Sequence, residues 1–83
     1  MEYSTERNNL RMDDRDTFAR NLTRLRFVRK LSQEELGFRA GLHRSTIQNF
    51  ENRKHSPTLK NLARLAAALE VSVEELIKPE RKD

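Results

Sequence analysis

The sequence has no cysteine and no tryptophan, and its 83 residues include only two glycines and two prolines. Without cysteine there is neither a disulfide framework nor thiolate chemistry, so nothing in the composition points to secretion. A secretory signal needs an apolar segment near its start, and a membrane helix needs about twenty consecutive apolar residues. The sequence shows neither. We therefore expect a cytoplasmic protein that does not enter a membrane.

The residue types needed for catalysis or metal binding are equally scarce. The two histidines, His43 and His55, are too few and too differently placed for a metal cluster. There is no phosphate-binding glycine loop, and no serine, histidine and acid set stands in a recognisable context. The sequence thus predicts a protein that is not an enzyme and that needs no metal or cofactor.

Charged residues make up 36% of the chain and hydrophobic residues 35%. This balance suits one small helical domain with a solvated surface. The formal net charge is +4, and residues 20–30 hold five basic side chains and no acidic one. Such a patch would attract a polyanion, although a face that only improves solubility has the same composition.

Two short helices joined by a tight corner are predicted within residues 32–52. Ser32 and Glu35 have the spacing of a capping box, so a helix is expected to begin directly after Ser32. Leu36 and Ala40 share one face of that helix, and Gly41 can adopt the positive φ that ends a helix sharply. The pattern therefore predicts a helix followed by a corner.

The second helix of the pair, from His43 onward, has one apolar face and one hydrogen-bonding face. At the 3.6-residue helical period, the inner face holds Thr46, Ile47 and Phe50. The outer face holds Arg44, Ser45, Gln48, Asn49 and Asn52. Arg and Asn side chains can make paired hydrogen bonds to base edges in a DNA groove that admits a helix. An ordinary solvated helix face is the alternative, and this face alone does not decide between the two.

A longer resemblance favours the DNA-binding interpretation. Residues 22–77 resemble the helix-turn-helix domain of phage Cro and CI repressors, the XRE family of transcriptional regulators. The resemblance rests on the ordered segments LSQEEL, AGLHRSTI, FEN, SPTL and LAAALEVSVEEL. It implies an all-α fold: a compact five-helix bundle containing a helix-turn-helix, as in lambda-repressor-like DNA-binding domains.

The resemblance also implies roles for individual residues. The base-reading positions lie on the first two turns of the third helix: Arg44, Ser45, Gln48 and Asn49. The positions that hold the DNA backbone flank that helix and the one before it: Gln33, His43, Asn52, Arg53 and Lys54. Arg26 and Glu51 match a pair that fastens the recognition helix to the first helix, so we expect a partly buried ion pair between them. Arg44 is the favoured base reader, because a bidentate arginine on guanine is the commonest specific contact.

Three residues depart from the family pattern. His43 stands where relatives usually have Ser or Thr as the N-cap, and it either contacts a phosphate or is simply tolerated there. Gly37 replaces a usual Ala inside a helix, at a cost of about 0.5 to 1 kcal/mol, which suggests that the second and third helices approach closely. Lys30 replaces a frequent Gly, so a strained non-glycine corner is predicted between the first and second helices.

The flanking segments support this helix pair. We predict a flexible N-terminal arm at residues 1–12, the helix-turn-helix domain at residues 13–78 and a disordered tail at residues 79–83. The first helix is expected to start at Asp13 or Asp14, with a core stripe of Phe18, Ala19, Leu22, Leu25 and Val28. A fourth helix, capped by Thr58, is expected to have an apolar stripe of Leu59, Leu62, Ala63, Ala66 and Leu69. Ser72 and Glu75 repeat the capping-box pattern before a short fifth helix.

We therefore predict a sequence-specific transcriptional regulator, a repressor, that binds a palindromic operator in double-stranded DNA as a homodimer. The dimer contact is expected where apolar side chains exceed what one short helix can bury: Val71, Val73, Leu76 and Ile77. The alternative is an antitoxin or a restriction-modification controller protein that binds DNA to regulate itself. No small-molecule ligand is expected.

Overall fold

The computed structural model describes residues 3–79, with the side chains of residues 14–79. Its helices are α1, Tyr3–Val28; α2, Gln33–Ala40; α3, Arg44–Glu51; α4, Leu59–Leu69; and α5, Val73–Ile77. No β-strand occurs among the described residues. The predicted all-α fold with five helices is confirmed.

The first helix begins much earlier than predicted. It starts at Tyr3, whereas the sequence suggested Asp13 or Asp14. Residues 3–12 contain no glycine and no proline, so nothing in this stretch stops the helix from continuing toward the N-terminus. The backbone of the arm expected at residues 1–12 is helical from Tyr3 on, while the flexibility of that arm stays a prediction. Residues 1 and 2 of that arm, and residues 80–83 of the expected tail, lie outside the described residues.

The core is built on the inner face of α1. Phe18, Leu22 and Leu25 are buried there as predicted, together with Ala19. The Phe18 ring meets the Phe50 ring of α3 edge to face, with 5.4 Å between ring centroids and an interplanar angle of 75°. Burial of each large apolar side chain contributes roughly 1.5 to 3 kcal/mol. The inner face of α1 is therefore the surface on which α3 is seated.

Val28 is not part of this core, contrary to the prediction. Its side chain is 66% exposed. At about 100° per residue, Val28 lies roughly half a turn around the helix from Ala19. The two residues cannot both face the core, so the predicted stripe was too wide at its C-terminal end.

The buried face of α4 is also displaced from the predicted stripe. Leu65 is fully buried although the stripe left it out, while Leu59 is 77% exposed and Ala63 is exposed. Ala66 and Leu69 are buried as predicted. The helix sequence LKNLARLAAAL has apolar residues on most of its faces. Periodicity therefore locates the buried face only approximately, and packing against α2 and α5 fixes its exact position.

A buried asparagine that the sequence did not indicate holds α5 against α1. Asn21 Nδ2 donates to the carbonyl oxygens of Leu76 at 3.0 Å and Lys78 at 2.7 Å. Arg24 Nη2 donates to Asn21 Oδ1 at 3.0 Å. The five-residue α5 is too short to be stable in isolation. It depends on α1 for partners to carbonyls that a helix end leaves unpaired.

The apolar surface predicted for a dimer contact is smaller than expected. Leu76 is fully buried in the core and is not available to a partner. Val71 and Val73 are partly buried against the same core. Ile77 is 49% exposed, which makes it the most accessible member of the predicted patch.

Side-chain caps begin the helices where the sequence placed them. Ser32 Oγ accepts from the Glu35 N–H at 2.9 Å, and Glu35 Oε1 accepts from the Ser32 N–H at 2.8 Å, which completes the capping box. The bond from the Ser32 N–H is the main cause that lowers the pKa of Glu35. Thr58 caps α4. Ser72 accepts from the Glu75 N–H, but the return bond to the Glu75 side chain is not formed.

Four helices end in the same left-handed turn, and only one of these turns has a glycine. The residues with positive φ are Lys30, Gly41, Arg53 and Glu70. In each turn the next N–H donates to a carbonyl five residues earlier, for example Leu31 to Arg26 at 3.1 Å, which is the bond of a Schellman helix end. The scarcity of glycine therefore places three non-glycine residues in a strained backbone conformation.

Lys30 confirms the strained corner predicted between α1 and α2, with a φ of 59°. We expect Lys30→Gly to stabilise the protein by about 0.5 to 1 kcal/mol, because the left-handed penalty exceeds the entropy that glycine loses on folding. Urea denaturation would measure the free energy of unfolding. Lys30→Ala is the control, since it removes the same side chain and keeps the Cβ. Equal gains in both variants would show that strain is not the cause.

Candidate nucleic-acid interface

The corner between α2 and α3 is closed by main-chain hydrogen bonds. Gly41 has a φ of 72° and a ψ of 32°, the left-handed conformation predicted for it. Its N–H donates to the Phe38 carbonyl at 3.3 Å, and the Leu42 N–H donates to the Gly37 carbonyl at 2.8 Å. The backbone therefore fixes the angle between α2 and α3.

Gly37 is buried where α2 meets the beginning of α3. A Cβ on this residue would lie 2.6 Å from the Leu42 carbonyl oxygen and 3.3 Å from the Arg44 nitrogen. Both neighbours are main-chain atoms, so relief would require the two helices to move apart. The close approach suggested by the sequence is present, and it explains why glycine stands at this position.

We expect Gly37→Ala to destabilise the protein even though alanine favours a helix. Overpacking costs about 1 to 3 kcal/mol, whereas the gain in helix propensity is only about 0.5 to 1 kcal/mol. Urea denaturation would measure the loss, and DNA affinity should fall with it because the α2–α3 angle changes. Phe38→Ala, at an exposed neighbour on α2, should change stability little. A more stable Gly37→Ala variant would contradict the close approach.

One face of α3 is packed and the other is open. Ile47 and Phe50 are buried, and Thr46 is half-buried beside them. The other face carries the residues predicted to contact DNA. Four of them are exposed: Arg44, Ser45, Gln48 and Asn52. The fifth, Asn49, is half-buried. In the part of the chain that the structure describes, the side chains of Arg44, Gln48 and Asn49 make no hydrogen bond or ion pair. Their donors and acceptors are free for a ligand.

His43 caps α3 through its imidazole ring. Its Nδ1 accepts from the Ser45 N–H at 3.0 Å and lies 2.8 Å from Ser45 Oγ. Because Nδ1 accepts this bond, the ring proton is on Nε2. His43 thus replaces the Ser or Thr expected at the N-cap and keeps one N–H donor for another partner. A phosphate contact by His43 stays a prediction.

The predicted Arg26–Glu51 ion pair is formed, and it joins three helices. Arg26 Nε lies 2.7 Å from Glu51 Oε2, and Arg26 Nη2 lies 3.0 Å from Glu51 Oε1. The two side chains are 10% and 7% exposed. Gln33 Nε2 also donates to Glu51 Oε1, at 2.9 Å. Glu51 at the end of α3 therefore binds both α1, through Arg26, and the start of α2, through Gln33. The sequence did not indicate the link to Gln33.

Most of the basic residues in the stretch 20–30 already have acidic partners. Arg20 Nε lies 3.3 Å from Asp16 Oδ2, and Arg29 Nη1 lies 3.4 Å from Glu70 Oε1. Arg26 is paired with Glu51. The positive patch suggested by the sequence is therefore weaker than its composition implies. The pairings within the bundle offset much of its charge.

Cations also stand directly after α3, where DNA-backbone contacts were predicted. Asn52, Arg53 and Lys54 are exposed. Arg53 Nε donates to Asp16 Oδ1 on α1, a contact that sequence reasoning missed. This hydrogen bond is the main cause that lowers the pKa of Asp16. The segment that follows α3 is thus tied to α1 by a charged pair.

The described residues show neither a metal site nor a membrane span. They contain no group of three or more His, Cys, Asp or Glu side chains that could hold a metal ion. None of their helices combines the length and apolar character needed to cross a bilayer. The distinctive feature of this surface is the open polar face of α3 between a capped N-terminus and a basic C-terminal turn.

This geometry agrees with the family that the sequence matches. Residues 25–76 match the HTH_3 helix-turn-helix family, over more than half of the chain. The chain belongs to this family and is a DNA-binding transcriptional regulator of the helix-turn-helix type. The resemblance to XRE-type regulators is confirmed.

Individual relatives are similar over most of their length. Control protein C.SmaI of Serratia marcescens is 39% identical over 66 residues, which cover 80% of this chain and 79% of that protein. The uncharacterized HTH-type transcriptional regulator y4dJ of Sinorhizobium fredii is 38% identical over 68 residues, covering 82% and 88%. The crystal structure of the restriction-modification controller protein C.AhdI from Aeromonas hydrophila matches with a TM-score of 0.74 at 38% identity, covering 77% of this chain and 97% of C.AhdI. The similarity therefore extends over most of each chain.

Proposed function

We propose that the protein is a homodimeric repressor that reads a palindromic DNA operator with the outer face of α3. The observation that carries the proposal is the set of unbonded side chains on that face: Arg44, Gln48 and Asn49. A helix held rigidly by its other face can enter the major groove, where paired hydrogen bonds distinguish the bases. Ser45 adds a hydroxyl on the first turn of the same face.

Phosphate contacts are proposed on both sides of this reading face. Gln33 is the first residue of α2, where free N–H groups and the helix dipole favour an anion. One N–H of the Gln33 side-chain amide donates to Glu51, and the second N–H on the same Nε2 serves a phosphate. His43 offers its Nε2–H at the start of α3. The remaining contacts follow α3: Asn52, Arg53 and Lys54.

The proposed dimer contact centres on Ile77. Two symmetric copies would place their α3 helices on half-sites about 34 Å apart, which multiplies the affinity of a single short helix. Sedimentation should show a dimer at micromolar concentration, and Ile77→Glu should convert it to a monomer. Val28→Glu is the matched control, because it places the same charge on another exposed apolar residue. A wild-type monomer at high micromolar concentration would overturn the dimer.

Control of a restriction-modification system is the second candidate function. It is favoured by two relatives at 38% and 39% identity that are named as controller proteins, C.AhdI and C.SmaI. A controller that regulates itself should bind upstream of its own gene, beside restriction and modification genes. Footprinting on that upstream DNA tests this candidate. Absence of a footprint there, with a strong site elsewhere, would favour an unrelated target.

Selection of bound duplexes from a random pool is the experiment that tests the main proposal. The enriched sequence should be palindromic, with two half-sites about one helical turn apart. Binding should weaken as salt is raised, because phosphate contacts release counterions. A pool that shows no enrichment at moderate salt would contradict the assignment of α3 as a reading helix.

A further inference from the structure

Arg53 is held by α1 through both its main chain and its side chain. It lies just beyond α3, in a left-handed conformation with a φ of 62°. Its Nε donates to Asp16 Oδ1 at 2.5 Å, and its carbonyl oxygen accepts from Arg15 Nη1 at 3.5 Å. A long and flexible side chain thus has a defined place relative to α1 and α3.

The contact with Asp16 leaves most of the Arg53 guanidinium available. Arginine has five N–H donors, and Asp16 takes the one on Nε. Among the described residues, Nη1 and Nη2 of Arg53 have no hydrogen-bond partner, and the side chain is 47% exposed. These two groups form the edge that suits a paired contact with a phosphate.

We infer that Asp16 is a positioning residue for DNA binding, which orients Arg53 so that its Nη groups meet a backbone phosphate. The inference rests on the proposed DNA-binding surface. It runs against the simple expectation that a carboxylate near DNA weakens binding through repulsion. Asp16 contacts two cations, Arg53 and Arg20, so the three-residue cluster carries a net positive charge.

The effect of Asp16 belongs to DNA affinity and not to folding. The hydrogen bond from Arg53 holds the pKa of Asp16 below its ordinary value, so the carboxylate is ionised at neutral pH. Exposed ion pairs add little to folding stability. Ordering a long side chain before it binds, in contrast, lowers the entropy cost of the contact. Affinity and salt dependence therefore separate positioning from a purely structural role.

A double-mutant cycle tests the inference. The variants are Asp16→Asn, Arg53→Ala and the double variant, each titrated with the selected operator duplex over a range of salt concentrations. Asp14→Asn is the matched control, since Asp14 is an exposed acid on the same helix and its loss reports the change in charge alone. Thermal unfolding of each variant verifies that the fold is retained.

Positioning predicts opposite results in the two backgrounds. With Arg53 present, Asp16→Asn should weaken binding roughly two- to tenfold, the range for ordering one rotamer-rich side chain. With Arg53→Ala, the same change should leave affinity equal or slightly raised. Arg53→Ala itself should reduce the salt slope, that is, the steepness with which log affinity falls with log salt concentration, by about one. The inference would be overturned if Asp16→Asn, with Arg53 present, bound DNA as tightly as wild type or more tightly. An unchanged salt slope for Arg53→Ala would also overturn it. Wild-type protein that selects no operator would instead refute the proposed function.

Discussion

Glu51→Ala is expected to destabilise the protein by about 3 to 5 kcal/mol, because it leaves Arg26 buried without its carboxylate. Arg26 Nη1 would keep its bond to the Leu31 carbonyl, at 2.9 Å, but Nε and Nη2 would lose their acceptors. Gln33 would lose its partner on the same carboxylate. The change therefore loosens α1, α2 and α3 from one another at a single point. Chemical denaturation would measure the free energy of unfolding.

The double variant Arg26→Met, Glu51→Leu is the control for this prediction. It replaces both charges with apolar side chains, so no buried charge is left without a partner, and it should be clearly more stable than Glu51→Ala. The single variant Arg26→Met should lie between them in cost, since Glu51 keeps the bond from Gln33. Equal losses for Glu51→Ala and the double variant would show that packing, and not the unpaired charge, causes the destabilisation. Retention of both folding and DNA binding by Arg26→Met would show that the ion pair is not an essential organiser.

The sequence predicted those features of the structure that depend on neighbours along the chain. The Ser32–Glu35 capping box and the left-handed Gly41 are set within a few residues, and both are present. Lys30 is strained as expected. The Arg26–Glu51 pair lies across the fold, and only the resemblance to a family indicated it. Local chemistry thus indicated how α2 begins and ends, while the family pattern indicated how α3 is fastened.

Features that depend on tertiary packing could not be predicted in this way. Asn21 carries no local signal for burial, because its partners on α5 are more than fifty residues away. Leu65 and Leu59 have the same hydropathy, and only the packing of α4 against its neighbours decides that Leu65 is buried and Leu59 is exposed. The Asp16–Arg53 contact likewise joins residues far apart in sequence. A polar side chain that bonds across the fold looks in the sequence like any solvated surface residue.

The same contacts that stabilise the bundle also fix the position of its proposed reading surface. Glu51 ends α3 and accepts bonds from Arg26 and Gln33, while the Gly37 contact sets how closely α2 approaches α3. No side chain of the open α3 face takes part in the Glu51 bonds or in the Gly37 contact. The one side-chain contact described for that face joins Ser45 to His43. The proposed base-reading residues can therefore be exchanged without loss of the fold, so their substitution tests recognition and not stability.

Arg44→Ala is expected to reduce discrimination between the selected operator and a scrambled duplex by about 1 to 3 kcal/mol, or roughly five- to 150-fold. The Arg44 side chain is exposed and unbonded among the described residues, so stability should hardly change. The loss should be confined to the base pair that Arg44 reads. Fluorescence anisotropy with duplexes substituted one position at a time would locate that base pair. Arg44→Lys should recover only part of the preference, because lysine lacks the paired geometry.

Lys54→Ala is the matched control for Arg44→Ala. Lys54 is an exposed cation just beyond α3, and as a phosphate contact it should lose affinity for operator and scrambled DNA alike. Its salt slope should fall by about one, with the selected sequence unchanged. If Arg44→Ala also weakened both duplexes equally and kept the same preferred sequence, Arg44 would be a phosphate contact. Base reading would then fall to Gln48 and Asn49, the other unbonded side chains of the same face.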